Sequence, residues 1–452
     1  MSQNRIVGIS EGYHDAGVAI IERNEIVFAS HSERYSRKKN DKWVHPDMPQ
    51  CGNTVAYYEK PFLKNLRRLY AGQKWRKPRL KYDISFGHHE SHAAAGYYTS
   101  PFEDCNVIVV DAIGEWDTVS IWKTHIEPGW LGHKKYTLKK VKSWKYPYSL
   151  GLLYSSITQR IGLKPNEDEY ITMAMSALGQ PIYDLEPLLQ LNNHLGVGNI
   201  WADAKNEDLA ASVQFLYEKK LLELVSMCPK DNIVLMGGCA LNCVANSKIQ
   251  DKNIWIMPSP GDAGSAVGAA ALVNKRKLKW RGPYLGYDID RPVYVKGVID
   301  ELLKSKVCGI ANGRAEFGPR ALGNRSLLGD PRYDIKDMVN NIKGREMFRP
   351  FAPAILEEYA DEYFEGPMNE YMQFVAKAKH DYNSVTHVDG TARVQVVRKD
   401  CGSVIRPILE EWYNETGCPM LLNTSLNIKG MPIVNTWEDA CDFGKKYNVK
   451  VF

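Results

Sequence analysis

The sequence predicts a duplicated α/β domain followed by a smaller α/β domain, and three observations carry that expectation. Residues 5–22 read as strand, turn, strand: two β-branched runs, 5–9 and 18–21, flank a short polar turn that carries His14 and Asp15. Residues 105–122 repeat the design, with an apolar strand, an acidic glycine turn from Asp111 through Gly114 to Glu115, and a second strand. Two such units separated by helical sequence indicate a duplicated frame. A basic stretch punctuated by Gly and Pro between 276 and 296 ends that frame near residue 285, which sets the expected domains at 1–285 and 286–452.

Along the first domain, residues 25–30 supply a third strand. Residues 60–82 then carry nine basic side chains and no acid, with Tyr70, Trp75 and Tyr82 among them. Such a segment suits a phosphate or nucleic-acid patch, and it suits a solvated basic insertion equally.

Three of the eleven histidines follow within five residues, His88, His89 and His92, and run into an alanine-rich stretch that favours helix. On a helix His88 and His92 share one face with Cβ atoms about 5–6 Å apart, a workable pair for one metal ion. The same spacing also suits a capped surface helix. It is not the zinc-peptidase HExxH, because residue 93 is Ala.

Two more glycine turns complete the domain. One follows a strand and holds Gly237, Gly238 and Asn242; the other precedes a helix and holds Gly261, Asp262 and Gly264. Glycine permits close backbone approach, and exposed N–H groups at turns and helix starts bind phosphate oxygens. With the turn at Gly114 and Glu115, these make Gly114, Glu115, Gly237, Gly238, Asn242 and Gly261 the candidate nucleotide contacts.

In the second domain, Arg314, Arg320, Asn324 and Arg325 are followed by Lys343, Arg345 and Arg349. Guanidinium forks bind phosphate bidentately, so the cluster suits an oxyanion site, although ordinary ion pairs could explain any single arginine.

The bulk numbers agree with a globular chain. At 452 residues, 44% hydrophobic and 25% charged, it is long enough for about two to three domains. No basic-then-apolar leader opens it, and no run approaches the roughly 18 apolar residues of a membrane span. Nine scattered cysteines read as reduced thiols, with Cys239 and Cys243 in the core, so a cytoplasmic protein without membrane partners is expected.

The motifs, taken in order, resemble a known family. They are the tip at His14 and Asp15, the run Glu33-Arg34-Tyr35-Ser36-Arg37-Lys38-Lys39, and His88 to His92 ending at Ser100-Pro101-Phe102. Asp111 to Glu115, Ser149 to Tyr154, Gly237 to Asn242 and Gly261 to Gly264 follow, then the arginine motifs, Leu422 to Asn427 and Pro432 to Val434. In these the chain resembles the O-carbamoyltransferases of the nodulation-factor and antibiotic-tailoring type. Its first part is similar to the tRNA threonylcarbamoyl-transfer ATPases.

The resemblance implies an actin-like, Hsp70-like ATPase fold followed by a domain similar to the YrdC/Sua5 carbamoyl-adenylate formers. It implies that carbamoyl phosphate is hydrolysed to carbamate, which attacks ATP to give carbamoyl adenylate and pyrophosphate, and that a substrate hydroxyl then takes the carbamoyl group. It also implies that His88, His92 and Asp262 hold a divalent metal, Fe²⁺ with Mn²⁺ or Zn²⁺ as alternatives, while Mg²⁺ accompanies ATP. His89 is expected to be a neighbour in a polar wall.

In this reading His14 is the candidate general base, with hydrogen bonding to Asp15 across the hairpin tip as the alternative, and Lys39 reaches the nucleotide. Arg320, Arg325, Lys343, Arg345, Arg349 and Asn423 would bind carbamoyl phosphate. The pattern departs at Ile171 and Ala174, where the family usually has Lys and Gly, which removes one possible phosphate or ribose contact. Two other readings share parts of the pattern: a tRNA threonylcarbamoyladenosine-type transferase and a catalytically idle ATP-binding regulator. The hydroxyl acceptor stays open among sugars, polyketides, nucleotides and modified bases; nucleic acid is compatible but not favoured. The basic segment tilts the choice toward an anionic acceptor.

Overall fold

The computed structural model describes residues 5–128 and 134–452. The chain divides into two compact units: one runs to Ser32 and resumes over Asn40–Trp280, and the other joins Glu33–Lys39 to Arg281–Phe452. The divide at 280/281 lies close to the boundary expected near 285. The assignment of 33–39 to the second unit has a local cause. Arg34 donates to the Gly318 carbonyl at 3.0 Å, and Arg37 donates to the carbonyls of Ile433 at 2.7 Å and Pro432 at 3.1 Å.

The first unit holds two five-stranded sheets of one design. In the first sheet β1 (Arg5–Ser10) pairs antiparallel with β2 (Gly17–Glu22), which pairs antiparallel with β3 (Glu25–His31). On its other side β1 runs parallel to β4 (Thr54–Tyr57), and β4 runs parallel to β5 (Ile84–Ser85). The second sheet repeats this strand for strand. β6 (Asn106–Val110) is antiparallel to β7 (Asp117–Pro128), which is antiparallel to β8 (Lys134–Lys145). β6 is also parallel to β9 (Asn232–Met236), which is parallel to β10 (Asn253–Trp255). The orders β3-β2-β1-β4-β5 and β8-β7-β6-β9-β10 are the same arrangement twice, the actin-like architecture.

Helices fill the spaces that this duplication leaves: α1 (Pro61–Tyr70), α2 (His88–Thr99), α3 (Leu150–Arg160), α4 (Asn206–Ser226) and α5 (Ser265–Asn274). Helix α2 is not a surface helix: all of its residues except Glu90 are buried. Its alanines and those of α5 allow an unusually close approach. A Cβ built at Gly268 of α5 would lie 1.7 Å from the Ser91 carbonyl oxygen, between His88 and His92 of α2. Any larger residue there would displace the helix that carries them.

The second unit is built on a five-stranded sheet. β11 (Tyr284–Ile289) pairs antiparallel with β13 (Gly313–Glu316) beside it. The sheet itself runs β12 (Val307–Ala311), β14 (Arg325–Gly329), β17 (Met420–Ser425), β15 (Ala352–Leu356), β16 (Gln395–Val397). Helices α6 (Val295–Ser305), α7 (Lys336–Lys343), α8 (Ile405–Thr416) and α9 (Trp437–Tyr447) cover it, with Trp412 fully buried in the core. Among the described residues no helix is long and apolar enough to cross a membrane.

Candidate metal centre

Four buried side chains of the first unit converge on one point: His88, His92, Asp111 and Asp262, with one ligand atom from each lying within 4.8 Å of all the others. Helix α2 supplies both histidines from one face. Asp111 follows the end of β6, and Asp262 opens the turn before α5. The carboxyl ends of parallel strands are where open α/β sheets place ligands, and β6 and β9 are such a pair.

The ring nitrogens meet at short range. His88 Nε2 and His92 Nε2 are 3.1 Å apart; His88 Nε2 lies 3.0 Å from Asp111 Oδ2, and His92 Nε2 lies 3.3 Å from Asp262 Oδ1. His92 Nδ1 sits 3.0 Å from the Pro260 carbonyl oxygen, which can only accept, so Nδ1 donates and Nε2 presents its lone pair in the neutral ring. Asp111 is held from behind by the Gly238 amide at 3.1 Å.

The donor set fits a divalent cation. Two imidazoles and two carboxylates are an ordinary transition-metal set with room for further ligands. The electrostatics agree. Burial resists charge on His88, yet Asp262, Asp111 and Glu59 raise its pKa well above the ordinary value, so the pocket stabilises positive charge at that point. Burial likewise opposes ionisation of Asp111 and Asp262, but the imidazoles hold both carboxyl pKa values low. A metal ion would replace the proton on His88.

Asp111 was quoted in a motif but not expected as a ligand. The available signal was positional: it stands after β6 as the His14 tip stands after β1. His89 sits outside the convergence, with Nδ1 2.7 Å from Ser120 Oγ, and burial pushes its pKa well down.

Glycines make the approach possible. Gly237 has φ +91°, and a Cβ there would fall 2.1 Å from the Val110 carbonyl oxygen. Gly238 and Gly261 stand back to back, since a Cβ on Gly261 would meet the Gly238 Cα at 4.0 Å. Gly114 faces the His88 ring, and a Cβ there would lie 3.1 Å from it.

Two of the expected nucleotide contacts do local structural work instead. Glu115 accepts from the His88 amide at 3.0 and 3.2 Å and from the Lys60 amide at 2.8 Å, so its carboxylate caps the start of α2. Asn242 caps the Ala245 amide at 3.0 Å and exchanges hydrogen bonds with Gln214.

Of the expected catalytic residues, half-buried His14 has Nδ1 3.0 Å from Asp15 Oδ2. Burial works against its charge, but Asp15, by hydrogen bond and by charge, raises its pKa to about 9. A protonated His14 donates rather than accepts at neutral pH, which disfavours the general-base role and suits the hydrogen bond across the tip. Lys39 belongs to the second unit, where its ammonium pairs with Glu33 at 3.0 Å rather than standing free for a nucleotide.

The second unit brings Lys343, Arg345 and Arg349 together around the end of α7. Lys343 is buried and donates to the carbonyls of Ser425 at 2.5 Å and Asn427 at 2.9 Å; burial, with Arg345 and Arg349 nearby, pushes its pKa well down. Arg345 donates to Asn340 Oδ1 at 2.7 Å, and Arg349 lies 3.4 Å from Glu346. Asn423, on β17, donates to Gln395 Oε1 at 2.6 Å and to the Ala321 carbonyl, while its own buried Oδ1 lacks a hydrogen-bond partner. Arg320 is partly exposed in the loop before β14.

Arg325 departs from expectation. It is fully buried, and its guanidinium donates to the carbonyls of Asn435, Asn312, Gly313, Asn324 and Tyr287 at 2.8–3.1 Å. That side chain staples loops together and leaves no fork for a phosphate.

The first unit is thus a duplicated actin-like α/β frame in which His88, His92, Asp111 and Asp262 converge, and the second is an arginine-rich α/β unit. Sequence comparison places the chain. Residues 50–196 and 188–271 match the family model of the carbamoyltransferase N-terminus and residues 299–452 that of the carbamoyltransferase C-terminus; the chain belongs to the carbamoyltransferase family and is a carbamoyltransferase. It is 32% identical to an uncharacterised protein of Synechocystis sp., over 96% of this chain and 93% of that one. It is 28% identical to the nodulation protein NolNO of Sinorhizobium fredii, over 94% of this chain and 76% of that one. Among solved structures it is similar to component A of the Acidaminococcus fermentans (R)-2-hydroxyglutaryl-CoA dehydratase, with 12% identity, TM-score 0.36, and coverage of 59% of this chain and 96% of that one.

Proposed function

We propose that the protein is an ATP-dependent O-carbamoyltransferase whose transfer site is the centre formed by His88, His92, Asp111 and Asp262. The observation that carries this reading is the convergence of four buried ligand groups beside two glycine turns, in a chain of the carbamoyltransferase family.

In this reading the second unit hydrolyses carbamoyl phosphate to carbamate and inorganic phosphate. Carbamate oxygen attacks the α-phosphorus of ATP and expels pyrophosphate, giving carbamoyl adenylate. The acceptor hydroxyl oxygen then attacks the carbamoyl carbon, the bond to the AMP oxygen breaks, and the hydroxyl proton leaves with solvent. A divalent cation at the centre, Fe²⁺ in the first instance, supplies positive charge that stabilises the departing AMP phosphate.

The chain's own groups do the rest. Pro260 fixes the His92 tautomer, Gly238 orients Asp111, and His14, protonated and held by Asp15, donates a hydrogen bond toward the reacting carbamoyl oxygen. Positioning of the hydroxyl against an already activated mixed anhydride supplies much of the rate.

The test is pyrophosphate release from ATP by purified protein loaded with Fe²⁺. Release that requires carbamoyl phosphate is expected. Release independent of it, or none, would sink the adenylate route while leaving family membership untouched.

A further inference from the structure

Glu59 lies in the short loop that joins β4 to α1, in the run Tyr57-Tyr58-Glu59-Lys60-Pro61. Helix α1 turns its polar side inward: Lys64, Asn65 and Arg67 are buried, while Phe62 is 63% exposed. Burying an ion is unfavourable unless it is paired. Lys64 and Glu59 meet that condition together, both buried, with each Glu59 oxygen 2.7 Å from the ammonium.

The pair lies against the metal centre. Glu115 accepts from the Lys60 amide at 2.8 Å and from the His88 amide at 3.0 Å, so one carboxylate ties the residue after Glu59 to the start of α2. The Tyr58 and His88 rings pack with their centroids 5.3 Å apart. Glu59 Oε2 comes within 3.8 Å of His88 Nδ1.

The two histidines of the centre differ at that ring atom. His92 Nδ1 has its partner in the Pro260 carbonyl at 3.0 Å. His88 Nδ1, in a residue only 3% exposed, has no hydrogen-bond partner among the described residues. A neutral imidazole that ligates through Nε2 carries its proton on Nδ1, and metal-bound histidines direct that N–H at a carboxylate or carbonyl. Glu59 is the carboxylate that the fold brings to it. At 3.8 Å the contact is an ion-pair distance, and a shift of about 1 Å brings it to hydrogen-bond length.

We propose that Glu59, held by Lys64, is a positioning residue of the centre: its carboxylate accepts a hydrogen bond from His88 Nδ1 and aims Nε2 at the cation. The proposal rests on the metal reading given above. Two aspartates balance a divalent cation and Lys64 balances Glu59, so this carboxylate adds direction without adding net charge.

The test uses the full-length protein and Co²⁺, whose visible absorption reports its ligands. Two double variants each remove one anion and one cation: Glu59→Leu with Lys64→Met, and Glu59→Gln with Lys64→Met. The first has no acceptor for His88 Nδ1 and should bind Co²⁺ about 10–100-fold more weakly than wild type, with an altered spectrum. The second keeps an acceptor in the amide oxygen and should regain most of the affinity and the wild-type spectrum. Neither leaves an unpaired buried charge, so both should fold, which circular dichroism and the thermal midpoint check.

Wild-type affinity in the first variant overturns the proposal. So does an equal loss in both, which would make the charge or packing of the pair the cause. If the first variant fails to fold, wild type loaded with Zn²⁺ is read by NMR. The His88 Nδ1 proton, assigned by its loss in His88→Ala, should then give a downfield, slowly exchanging signal, and its absence overturns the proposal. A wild type that binds no Co²⁺ overturns the metal reading and this proposal with it. Glu59-dependent Co²⁺ binding without carbamoyl-phosphate-dependent pyrophosphate release supports the proposal and sinks only the adenylate route.

Discussion

The histidine pair of the candidate metal centre and the arginine cluster of the second unit were both expected from residue type and spacing, yet their polar groups are used in opposite ways. At the centre, His88, His92, Asp111 and Asp262 each bring one ligand atom to within 4.8 Å of the others. The two Nε2 atoms lie 3.1 Å apart, and with the Nδ1 protons in place both can present lone pairs to one cation. In the second unit, Arg325 is taken up by backbone carbonyls, and Lys343 by the carbonyls of Ser425 and Asn427 together with the Asn427 side chain. Ligand-type groups that converge on one another mark a place for a ligand, whereas cations taken up by backbone carbonyls mark a staple. Chemistry-bearing residues in the right order do not distinguish the two.

That contrast can be broken most forcefully at the centre. His92→Ala should cut retained metal by more than about 100-fold, since loss of outer partners alone typically costs 10–100-fold. The check is elemental analysis after Fe²⁺ loading and desalting, with circular dichroism to confirm the fold. Metal retained at the wild-type level would remove the centre from the argument.

Next in size is Arg325→Met, which takes the side-chain donor away from five backbone carbonyls. It should destabilise the protein by about 3 kcal/mol or more in denaturant unfolding. Arg349→Met should cost about 1 kcal/mol or less, its pair being partly exposed and of modest geometry. Equal losses would erase the distinction between a buried staple and a partly exposed pair.

The smallest effect concerns pH. Glu358 is held at a pKa of about 2, chiefly by its hydrogen bonds from Arg406, against an ordinary value of 4.5. A folded pKa below the unfolded one gives stability that is fully present above 4.5 and lost as pH falls toward about 2. Glu358→Gln should flatten the acid limb of the melting temperature in that window. An unchanged limb would show the pair to contribute nothing, as exposed bridges often do.

Much of this was legible in the residues themselves. The two strand–turn–strand units appear as the matched hairpins β1–β2 and β6–β7, and the helical spacing of His88 and His92 does put both rings on one face. Asp262 lies 170 residues beyond His92 and was placed by resemblance alone. Asp111 escaped because a carboxylate after a strand is common, and only the packing of α2 against β6 and β9 brings this one to the two histidines. The segment 60–82 was ambiguous for the same reason: charge content does not say which side of α1 faces inward.

By itself the sequence determined the local periods and the family, because strand alternation, helical spacing and motif order are properties of neighbouring residues. Which polar groups remain free was decided only in the tertiary structure. Availability depends on every donor and acceptor that folding brings within about 3 Å, and those partners come from anywhere in the chain. Lys343, expected at an anion and instead closed over backbone carbonyls, and Lys64, paired with Glu59 beside His88, are the same residue type with opposite outcomes for that reason.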